Sequence, residues 1–378
     1  MRIAIVSREL PPHGGGIGSW SSKAGRGLAR LGNDVHLFTE RHDGEPAEET
    51  QSGVRIHRAE PVAFRPRSVG WSWAVRRAVI EAGPFDVVQA CEWDAEAFFY
   101  SLRQGAPLVT RLATPHYLVH RINGASWGHR VRTSLTGRME RVQARRSRRV
   151  VCPTRALARE VAGTWGIDVQ SIVVIPTGID PPEVSPEPVP AFLAEVPYVL
   201  YFGRLEVRKG VDTLIDALPD ILAARPEVHC VLIGEDLGYK GRPFPEYAAQ
   251  RCSGFPGRVH FLPRLPHAKL FRVVAGAAMV ALPSRWENLA NTCLESMILG
   301  RAIIATTGSG FDEVLSDGVD GLLVPPGDPP ALAEAAIRAL GEPGLLARLG
   351  DAARRRADAF TVDGMARRLM EVYGELAR

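Results

Sequence analysis

The sequence predicts an α/β protein with two domains, each a doubly wound parallel sheet covered by helices. At 378 residues the chain is too long for one typical core, and two domains of about 150–200 residues are expected. Short β-rich runs alternate with helical runs from end to end, the pattern of parallel strands joined by helical crossovers. A proline-rich segment with few strong helix or strand formers, residues 177–190, separates two such alternations.

In the first half, a strand from Arg2 leads through a glycine-containing loop into a helix expected at residues 19–31. The later segments continue the alternation through their apolar runs and turn residues. Further strands are expected at 34–39, near 54, and from 85, 107, 148 and 171, and helices at 71–82, 94–103, 128–147 and from 155.

The second half starts again with a strand from Tyr198. Further strands are expected from 228, 259, 279, 301 and 321, and helices from 210, at 267–275, from about 289, from 330 and over most of 342–378. Each half opens with a strand and a loop carrying glycine or a basic residue, so we expect two Rossmann-like domains facing each other across a cleft. The expected boundaries are 1–183 for the first domain, 184–196 for a linker, 197–357 for the second domain and 358–378 for a C-terminal helix packing back toward the first domain.

Composition narrows the classes of function. The net charge of +4 permits anionic small ligands and demands neither nucleic acid nor membrane. No apolar run approaches the ~20 residues of a membrane span, and the N-terminus lacks the long apolar region of a signal peptide. The five cysteines are scattered and include no C-x-x-C pair, so we expect reduced thiols, no structural zinc and a cytoplasmic location.

The segment 283–300 (PSRWENLANTCLESMILG) predicts a turn followed by a helix from about Leu289. Helical spacing separates a polar stripe from a buried face: Asn288, Asn291, Thr292 and Glu295 against Ala290, Cys293, Leu294 and Met297. Glu287 and Glu295 would lie roughly 12 Å apart along the axis, on either side of a helix N-terminus that favours anions. A nucleotide-sugar, with hydroxyls at both ends and phosphates between them, suits this layout. An ordinary amphipathic helix with a solvated glutamate is the alternative.

A second segment, YFGRLEVRKG, places Gly203, Arg204, Lys209 and Gly210 directly after a buried strand. The planar fork of an arginine and the mobile charge of a lysine are a suitable pair for a diphosphate. A basic surface loop is the alternative. No Walker A motif occurs in the chain.

Two glycine turns also follow predicted strands. Residues 13–18 (HGGGIG) would let the main chain approach a ligand, but they do not match the dinucleotide fingerprint, and a flexible turn is an equal alternative. The turn TTGSGFDEV carries Gly308, Gly310 and Glu313 at an expected helix start, where a ligand could approach. A plain turn between strand and helix explains it equally well.

Together these segments resemble the family 4 retaining glycosyltransferases, which have the GT-B fold. The two glutamates of that family, separated by seven residues, match Glu287 and Glu295, and its GR-x-x-x-x-KG element matches residues 203–210. GSGFDE (308–313) resembles the family's glycine turn, 317–328 its closing strand segment, and 11–39 its first loop, helix and strand. The likeness is strong over 198–328 and weak over about 40–170.

The resemblance implies a role for each matching residue. Arg204 and Lys209 would hold the diphosphate and stabilise the charge that develops on it. Glu287 would contact hydroxyls of the donor sugar, and Glu295 would bind the ribose hydroxyls. Further donor contacts would come from Gly15 and Gly16 across the cleft, and from Gly203, Asn288, Leu289, Ala290, Gly310 and Glu313. Such enzymes need no metal or other cofactor, and they retain the sugar configuration while a leaving phosphate oxygen takes the acceptor proton.

One position departs from the family pattern. Relatives often carry a histidine in a motif like R-L-H-T-P, where it touches the donor sugar near C6; here Ala113 stands in its place and His116 follows three residues on. Either His116 substitutes from the loop as a catalytic residue, or the contact is absent and the donor is unusual near C6, for example a deoxy sugar. A hydrogen-bonded surface histidine is the alternative interpretation of His116.

Two further segments of the first half bear on the acceptor. Glu92, Trp93 and Asp94 follow a strand end and are expected to line the cleft on the acceptor side, with packing or N-capping by Asp94 as the alternative. The arginines of the basic stretch 129–149 spread around its helix, so contact with a membrane is a less favoured alternative.

The sequence thus predicts a metal-independent retaining glycosyltransferase that uses a nucleoside-diphosphate sugar and a small-molecule or lipid-linked acceptor. A same-fold nucleotide-sugar 2-epimerase and a non-catalytic nucleotide-sugar-binding protein are the alternatives. The missing dinucleotide fingerprint disfavours a nicotinamide dehydrogenase. Recognition of the base is expected from loop backbone around 262–265.

Overall fold

The chain forms two units, each built around one sheet. In this computed structural model, the first unit comprises Met1–Ile179 with the C-terminal segment from Phe360, and the second comprises Asp180–Ala359. The structure describes residues 1–60, 64, 66–103, 105–124 and 127–376, without the side chains of 127–133. The side chains of residues 129–133, the first part of the basic stretch 129–149, therefore lie outside the description.

The first unit has a sheet in the order β3-β4-β2-β1-β5-β6-β7-β8, in which β3 and β4 are antiparallel and the other described pairs are parallel. Its strands are β1 (Arg2–Val6), β2 (Asp34–Glu40), β3 (Glu48–Gln51), β4 (Val54–Ala59), β5 (Val87–Cys91), β6 (Leu108–Arg111), β7 (Arg149–Cys152) and β8 (Ile172–Val174). Its helices before Ile179 are α1 (Gly16–Arg30), α2 (Arg67–Ala82), α3 (Phe98–Leu102), α4 (His116–Asn123), α5 (Trp127–Arg146) and α6 (Arg155–Trp165).

The second unit has a parallel sheet in the order β11-β10-β9-β12-β13-β14. Its strands are β9 (Tyr198–Phe202), β10 (His229–Ile233), β11 (Val259–Leu262), β12 (Met279–Leu282), β13 (Ala302–Thr306) and β14 (Leu322–Val324). Its helices are α7 (Val211–Ala224), α8 (Phe244–Arg251), α9 (His267–Gly276), α10 (Asn291–Ile298), α11 (Pro329–Gly341) and α12 (Leu345–Ala357).

Both sheets confirm the predicted Rossmann-like architecture. In each, the first strand lies at the centre and the chain runs outward first on one side and then on the other. The strand order therefore reverses between β1 and β5 in the first unit and between β9 and β12 in the second. Loops leaving the carboxyl ends of these strands diverge there and leave a crevice, the usual place for a ligand in such sheets.

The last helix, α13 (Val362–Leu376), belongs to the first unit and packs on α1. The two helices approach closely at Gly27, where a Cβ would lie 2.9 Å from both the Ala366 and the Val362 side chains. The N–H of Ile179 donates to the carbonyl oxygen of Phe360, 2.7 Å away, where the chain returns to this unit. Residues 184–196, the expected linker, are part of the second unit.

The structure contains elements that the sequence patterns did not predict, namely β3, α4 and α8. The strand β3 has the sequence EETQ and is exposed along its length, so it carries no apolar alternation. Its pairing with β4 defines it, because main-chain hydrogen bonds do not depend on side-chain pattern. Over the described ranges, helices long and apolar enough to cross a bilayer are absent.

Candidate active site

Two loops meet at the carboxyl ends of β9 and β12 in the second unit. The first begins at Gly203, and its Arg208 carbonyl oxygen accepts a hydrogen bond from the N–H of Arg285 at 2.9 Å. Gly210 has a φ of +68°, and a Cβ there would lie 1.8 Å from the carbonyl oxygen of Pro283. The two loops are therefore packed main chain against main chain, and a side chain at position 210 would push them apart.

Lys209 from the first loop and Glu287 from the second form an ion pair in which Lys209 Nζ donates to Glu287 Oε2. Arg208 Nη1 lies 3.7 Å from the same oxygen, and Arg208 Nη2 donates to Glu206 Oε1 at 2.7 Å. Arg204 Nη2 lies 3.2 Å from Glu206 Oε1. The three cations and two carboxylates thus form one continuous network.

Burial and neighbouring charges have opposite effects on the pKa values of Lys209 and Glu287. Burial lowers the pKa of Lys209, although the charge of Glu287 opposes the change. Burial alone would raise the pKa of Glu287, but the charges of Lys209 and Arg208 outweigh it and hold this pKa below its usual value. Glu287 is therefore an anion at neutral pH, and its charge favours the protonated form of Lys209.

The two predicted cations occupy different positions in the network. The Lys209 side chain is 19% exposed and contacts Glu287, whereas that of Arg204 is 57% exposed and joins through Glu206. Arg208, which sequence reasoning missed, is buried and lies within reach of both carboxylates. Its place beside Lys209 in GRLEVRKG was the available signal, but a local pattern does not distinguish a buried arginine from an exposed one.

The helix α10 begins at Asn291, two residues later than expected, so Glu287 lies in the preceding loop. The polar stripe does not form an exposed face, because Thr292 is half-buried and Glu295 is buried. The alternative of a solvated Glu295 is therefore wrong. The loop residues expected to contact a donor through their main chain are buried or half-buried: Asn288, Leu289 and Ala290.

A third loop, after β13, joins the other two. The N–H of Gly310 donates to the Glu287 carbonyl oxygen at 2.8 Å, and the Thr306 hydroxyl donates to the Ser284 carbonyl oxygen at 2.5 Å. Glu313 is half-exposed at the end of a short 3₁₀ helix, Gly310–Glu313. The structure thus brings Gly310 next to Glu287 through the main chain.

Gly15 and Gly16 lie in the first unit, where they are exposed and form the N-cap and the first residue of α1. The N–H of Gly15 donates to a carboxylate oxygen of Glu9 at 2.7 Å, which closes the turn locally. Gly14, with a φ of +89°, packs so tightly on Glu9 that a Cβ would lie 2.5 Å from the Glu9 Cβ. Both of these contacts of the predicted glycine loop are therefore with Glu9, one through its carboxylate and one through its Cβ.

The first unit carries a second cluster of charged groups at the ends of β5 and β6. Glu92 is fully buried, and both of its oxygens accept the N–H of Ala113, at 2.8 and 2.7 Å. The position that holds a histidine in relatives thus presents its main chain to a buried carboxylate. Burial, followed by the charge of Glu140, raises the pKa of Glu92 to about 7. Glu92 therefore holds the loop after β6 through the main chain of Ala113, and it does not line the acceptor side as the sequence predicted.

The other two acceptor-side candidates contact His116. The Trp93 ring stacks on the imidazole with centroids 3.8 Å apart. Asp94 has a carboxylate oxygen 3.4 Å from His116 Nε2, and its other oxygen lies 2.8 Å from Arg8 Nη1. His116 Nδ1 contacts Glu140, a residue that sequence reasoning did not single out. The imidazole is hydrogen-bonded, as the alternative interpretation held, but its side chain is only 11% exposed, so most of the ring is buried and a small part of it reaches solvent.

A metal site is not evident in the parts of the chain that the structure describes. Sets of three or more His, Cys, Asp and Glu side chains placed to hold a metal ion are absent there. The positive charge near the β9 and β12 loops comes from Arg204, Arg208 and Lys209 in the first loop and from Arg285 in the second, where Arg285 is paired with Asp212.

Family models match both halves of the chain. The model described as Glycosyltransferase Family 4 matches residues 14–183, and the model described as Glycosyl transferases group 1 matches residues 196–342. A D-inositol 3-phosphate glycosyltransferase of Xylanimonas cellulosilytica is 27% identical, covering 100% of this chain and 97% of the relative. A glycogen synthase of Mycobacterium tuberculosis is also 27% identical, over 99% of this chain and 94% of its own length.

Solved structures show the same fold. Sucrose-phosphate synthase from Thermosynechococcus elongatus superposes with a TM-score of 0.83 at 22% identity, covering 99% of this chain and 98% of the other. HepE of Anabaena, solved in complex with UDP-glucose, has a TM-score of 0.75 at 20% identity and full coverage of both chains. These likenesses confirm the predicted GT-B fold class, and the two matched models show that the protein is a glycosyltransferase of family 4.

Proposed function

We propose that this glycosyltransferase moves a sugar from a nucleoside-diphosphate donor to a small-molecule or lipid-linked acceptor, with retention and without a metal ion. The observation that carries the proposal is the contact of Lys209 with Glu287 where the β9 and β12 loops meet. A diphosphate needs cations, and a sugar needs hydrogen-bond acceptors for its hydroxyls. The Lys209–Glu287 pair places one of each in direct contact.

The charge of the network favours an anionic ligand. Arg204, Arg208 and Lys209 supply three positive charges against the two carboxylates of Glu206 and Glu287, an excess of one. We infer that the diphosphate takes the place of Glu287 beside Lys209, which frees the carboxylate to accept from donor-sugar hydroxyls. The N-terminus of α10, with the positive end of its dipole, begins four residues after Glu287 and adds to the same field.

The proposed chemistry follows from these positions. As the glycosidic bond breaks, negative charge grows on the leaving diphosphate, and fixed cations stabilise that charge more than they stabilise the ground state. In a retaining reaction on one face of the sugar, a phosphate oxygen of the leaving group can take the acceptor proton. The three cations would supply the charge that a divalent ion supplies in other transferases.

The solved relatives and the residue at position 113 support particular nucleotide sugars as donors. HepE structures hold UDP-glucose and UDP, and a starch synthase IV of Arabidopsis thaliana holds ADP, so UDP and ADP sugars are tested first. The alanine side chain at position 113 cannot form a hydrogen bond, which supports a donor that makes no polar contact there near C6, such as a deoxy sugar. The names of curated relatives make D-inositol 3-phosphate the first acceptor to test. Five buried free thiols fit a reducing compartment such as the cytoplasm.

The test is a thermal-shift panel of UDP, GDP, ADP and dTDP with their glucose and 6-deoxy sugars, followed by assays of sugar transfer. A ligand at 100 times its Kd stabilises the protein by roughly 2.7 kcal/mol, so the bound nucleotide should be evident. Lys209→Ala should abolish the shift. Arg338→Ala is the matched control, because Arg338 is in the last turn of α11, away from the carboxyl ends of the strands.

Two results would contradict the proposal. The first is a full nucleotide shift in Lys209→Ala, which would place the diphosphate elsewhere. The second is inversion of the anomeric centre in the transferred product, determined by NMR of the glycosidic linkage.

A further inference from the structure

Glu140, in the middle of α5, lies beneath the loops that follow β5 and β6, and it is fully buried. Its Oε1 accepts the N–H of Asp94 at 3.1 Å and contacts His116 Nδ1, and its Oε2 accepts the N–H of His116 at 3.2 Å. One carboxylate therefore binds two predicted site residues from two different loops, the acceptor-side candidate Asp94 and the catalytic candidate His116. Because Glu140 itself does not reach the surface, any effect on a substrate would pass through those two residues.

Asp94 is held in an unusual conformation. Its φ is +59° and that of Ala95 is +51°, so two consecutive residues other than glycine lie in the left-handed region. Such backbone conformations cost energy and are concentrated at functional sites. The N–H of Asp94 is held by Glu140, and its carboxylate is held between Arg8 Nη1 and His116 Nε2. The fold thus fixes this side chain from both ends.

We propose that Glu140 is a positioning residue of the transfer reaction, holding the His116 ring and the Asp94 carboxylate in one fixed arrangement that receives the acceptor. This inference rests on the transfer function proposed above and names a residue that acts on its acceptor side. The Asp94 and His116 side chains are 18% and 11% exposed, so each presents an edge while Glu140 stays below them. With Nδ1 bound to Glu140, the ring directs Nε2 toward Asp94.

The charged and titratable groups around His116 come from four elements. Glu140 comes from α5, and Glu92 and Asp94 come from the end of β5 and the loop that follows it. Arg8, from the loop after β1, lies on the far side of Asp94. His120 is on α4 itself, and its ring centroid is 5.8 Å from that of His116. Burial alone would lower the pKa of His116, but the hydrogen bond and charge of Glu140, then the charges of Asp94 and Glu92, raise it above its usual value. The ring therefore keeps its second proton, and with it the N–H toward Asp94, to a higher pH than a free histidine.

The chain offers a matched control one turn further along α5. Gln143 is also fully buried; it donates to the Cys91 carbonyl oxygen at 2.9 Å and accepts the N–H of Ala97 at 2.9 Å. It anchors the same part of the first unit without contacting His116 or Asp94 in any bond described above. Gln143→Leu therefore tests general loosening of these loops, and Glu140→Gln, which preserves the shape of the side chain, tests the charge and the bond to His116.

The first measurement is the NMR titration of the His116 ring in the full-length protein with labelled histidine, which needs no substrate. The pKa of His116 should fall in Glu140→Gln and stay at the wild-type value in Gln143→Leu.

The second measurement is the rate of sugar transfer from UDP-glucose to D-inositol 3-phosphate as a function of pH. Glu140→Gln should lower kcat/KM for the acceptor by about 10- to 100-fold and move the alkaline loss of activity to lower pH, with the UDP thermal shift retained. Gln143→Leu should lower the melting temperature without moving the pH profile.

The outcomes separate this inference from the proposed function. If Glu140→Gln titrates and transfers like Gln143→Leu, Glu140 is structural only and the inference is overturned. If the wild type transfers no sugar while the His116 pKa still falls in Glu140→Gln, the contact between Glu140 and the His116 ring is supported and the proposed function fails. Wild-type transfer with an unchanged His116 titration in Glu140→Gln overturns the inference alone.

Discussion

The contact of Gly210 with Pro283 provides a sharp test of how the candidate site is built. In Gly210→Ala, the new Cβ would lie 1.8 Å from the Pro283 carbonyl oxygen, so one of the two loops must move. The residue also has a φ of +68°, which costs an alanine about 1–2 kcal/mol. Forcing the loops apart adds about 1–3 kcal/mol, as for an overpacked core. We expect a loss of about 2–5 kcal/mol of unfolding free energy.

Gly257→Ala separates these two contributions. Gly257 lies in the same unit with a φ of +74°, but a Cβ there has nothing within 4 Å. This variant should lose only the conformational part, about 1–2 kcal/mol. The excess of about 1–3 kcal/mol in Gly210→Ala is the packing cost alone. For a unit of about this size, each kcal/mol corresponds to about 2–4 °C in melting temperature.

The assay is urea unfolding followed by circular dichroism, together with the UDP-induced thermal shift for each variant. Because the Gly210 loop carries Lys209, its displacement should weaken the nucleotide shift in Gly210→Ala and leave it intact in Gly257→Ala. If the two variants lose the same stability within about 0.5 kcal/mol and both keep the full UDP shift, the close packing of the two loops is not what shapes the site.

Three further predictions follow from the buried charges. Glu287→Gln should destabilise the protein more than Lys209→Met does, because it leaves two cations, the half-buried Lys209 and the buried Arg208, without their shared partner. Urea midpoints that rank the other way would contradict this. Burial raises the pKa of Glu96 from 4.5 to about 8, so the folded state binds this proton more tightly than the unfolded chain. The stability that Glu96 contributes should therefore be lost as pH rises from about 4.5 to about 8, and Glu96→Gln should lose less stability over this range than the wild type. Urea midpoints that change equally in both proteins between about pH 5 and about pH 8.5 would refute it. Sugar transfer should continue undiminished in EDTA, because Arg204, Arg208 and Lys209 supply the charge, and a loss that Mg²⁺ restores would show the opposite.

Local pattern was sufficient for much of the fold. The strands β9 and β13, YVLYF and AIIAT, are buried throughout and, apart from Thr306 at the end of β13, consist of aliphatic and aromatic residues, as expected of strands covered on both faces. The local sequence pattern failed to predict elements that depend on contacts with other segments of the chain. The exposed strand β3 exists through its pairing with β4, and α10 starts at Asn291 because the preceding residues are drawn into the loop contacts of Glu287.

The order of strands and loops along the chain is enough to predict which segments meet, because charged and glycine-rich loops that follow strands must gather at one edge of a parallel sheet. The sequence therefore predicts that GRLEVRKG and the Glu287 loop lie together. The folded structure is needed to show that Lys209 and Arg208, and not Arg204, reach Glu287, and that a glutamate 24 residues away contacts His116. Spacing along a chain reports which face of one element is apolar, whereas the partner of a buried charge depends on elements that only the folded chain brings within hydrogen-bonding distance.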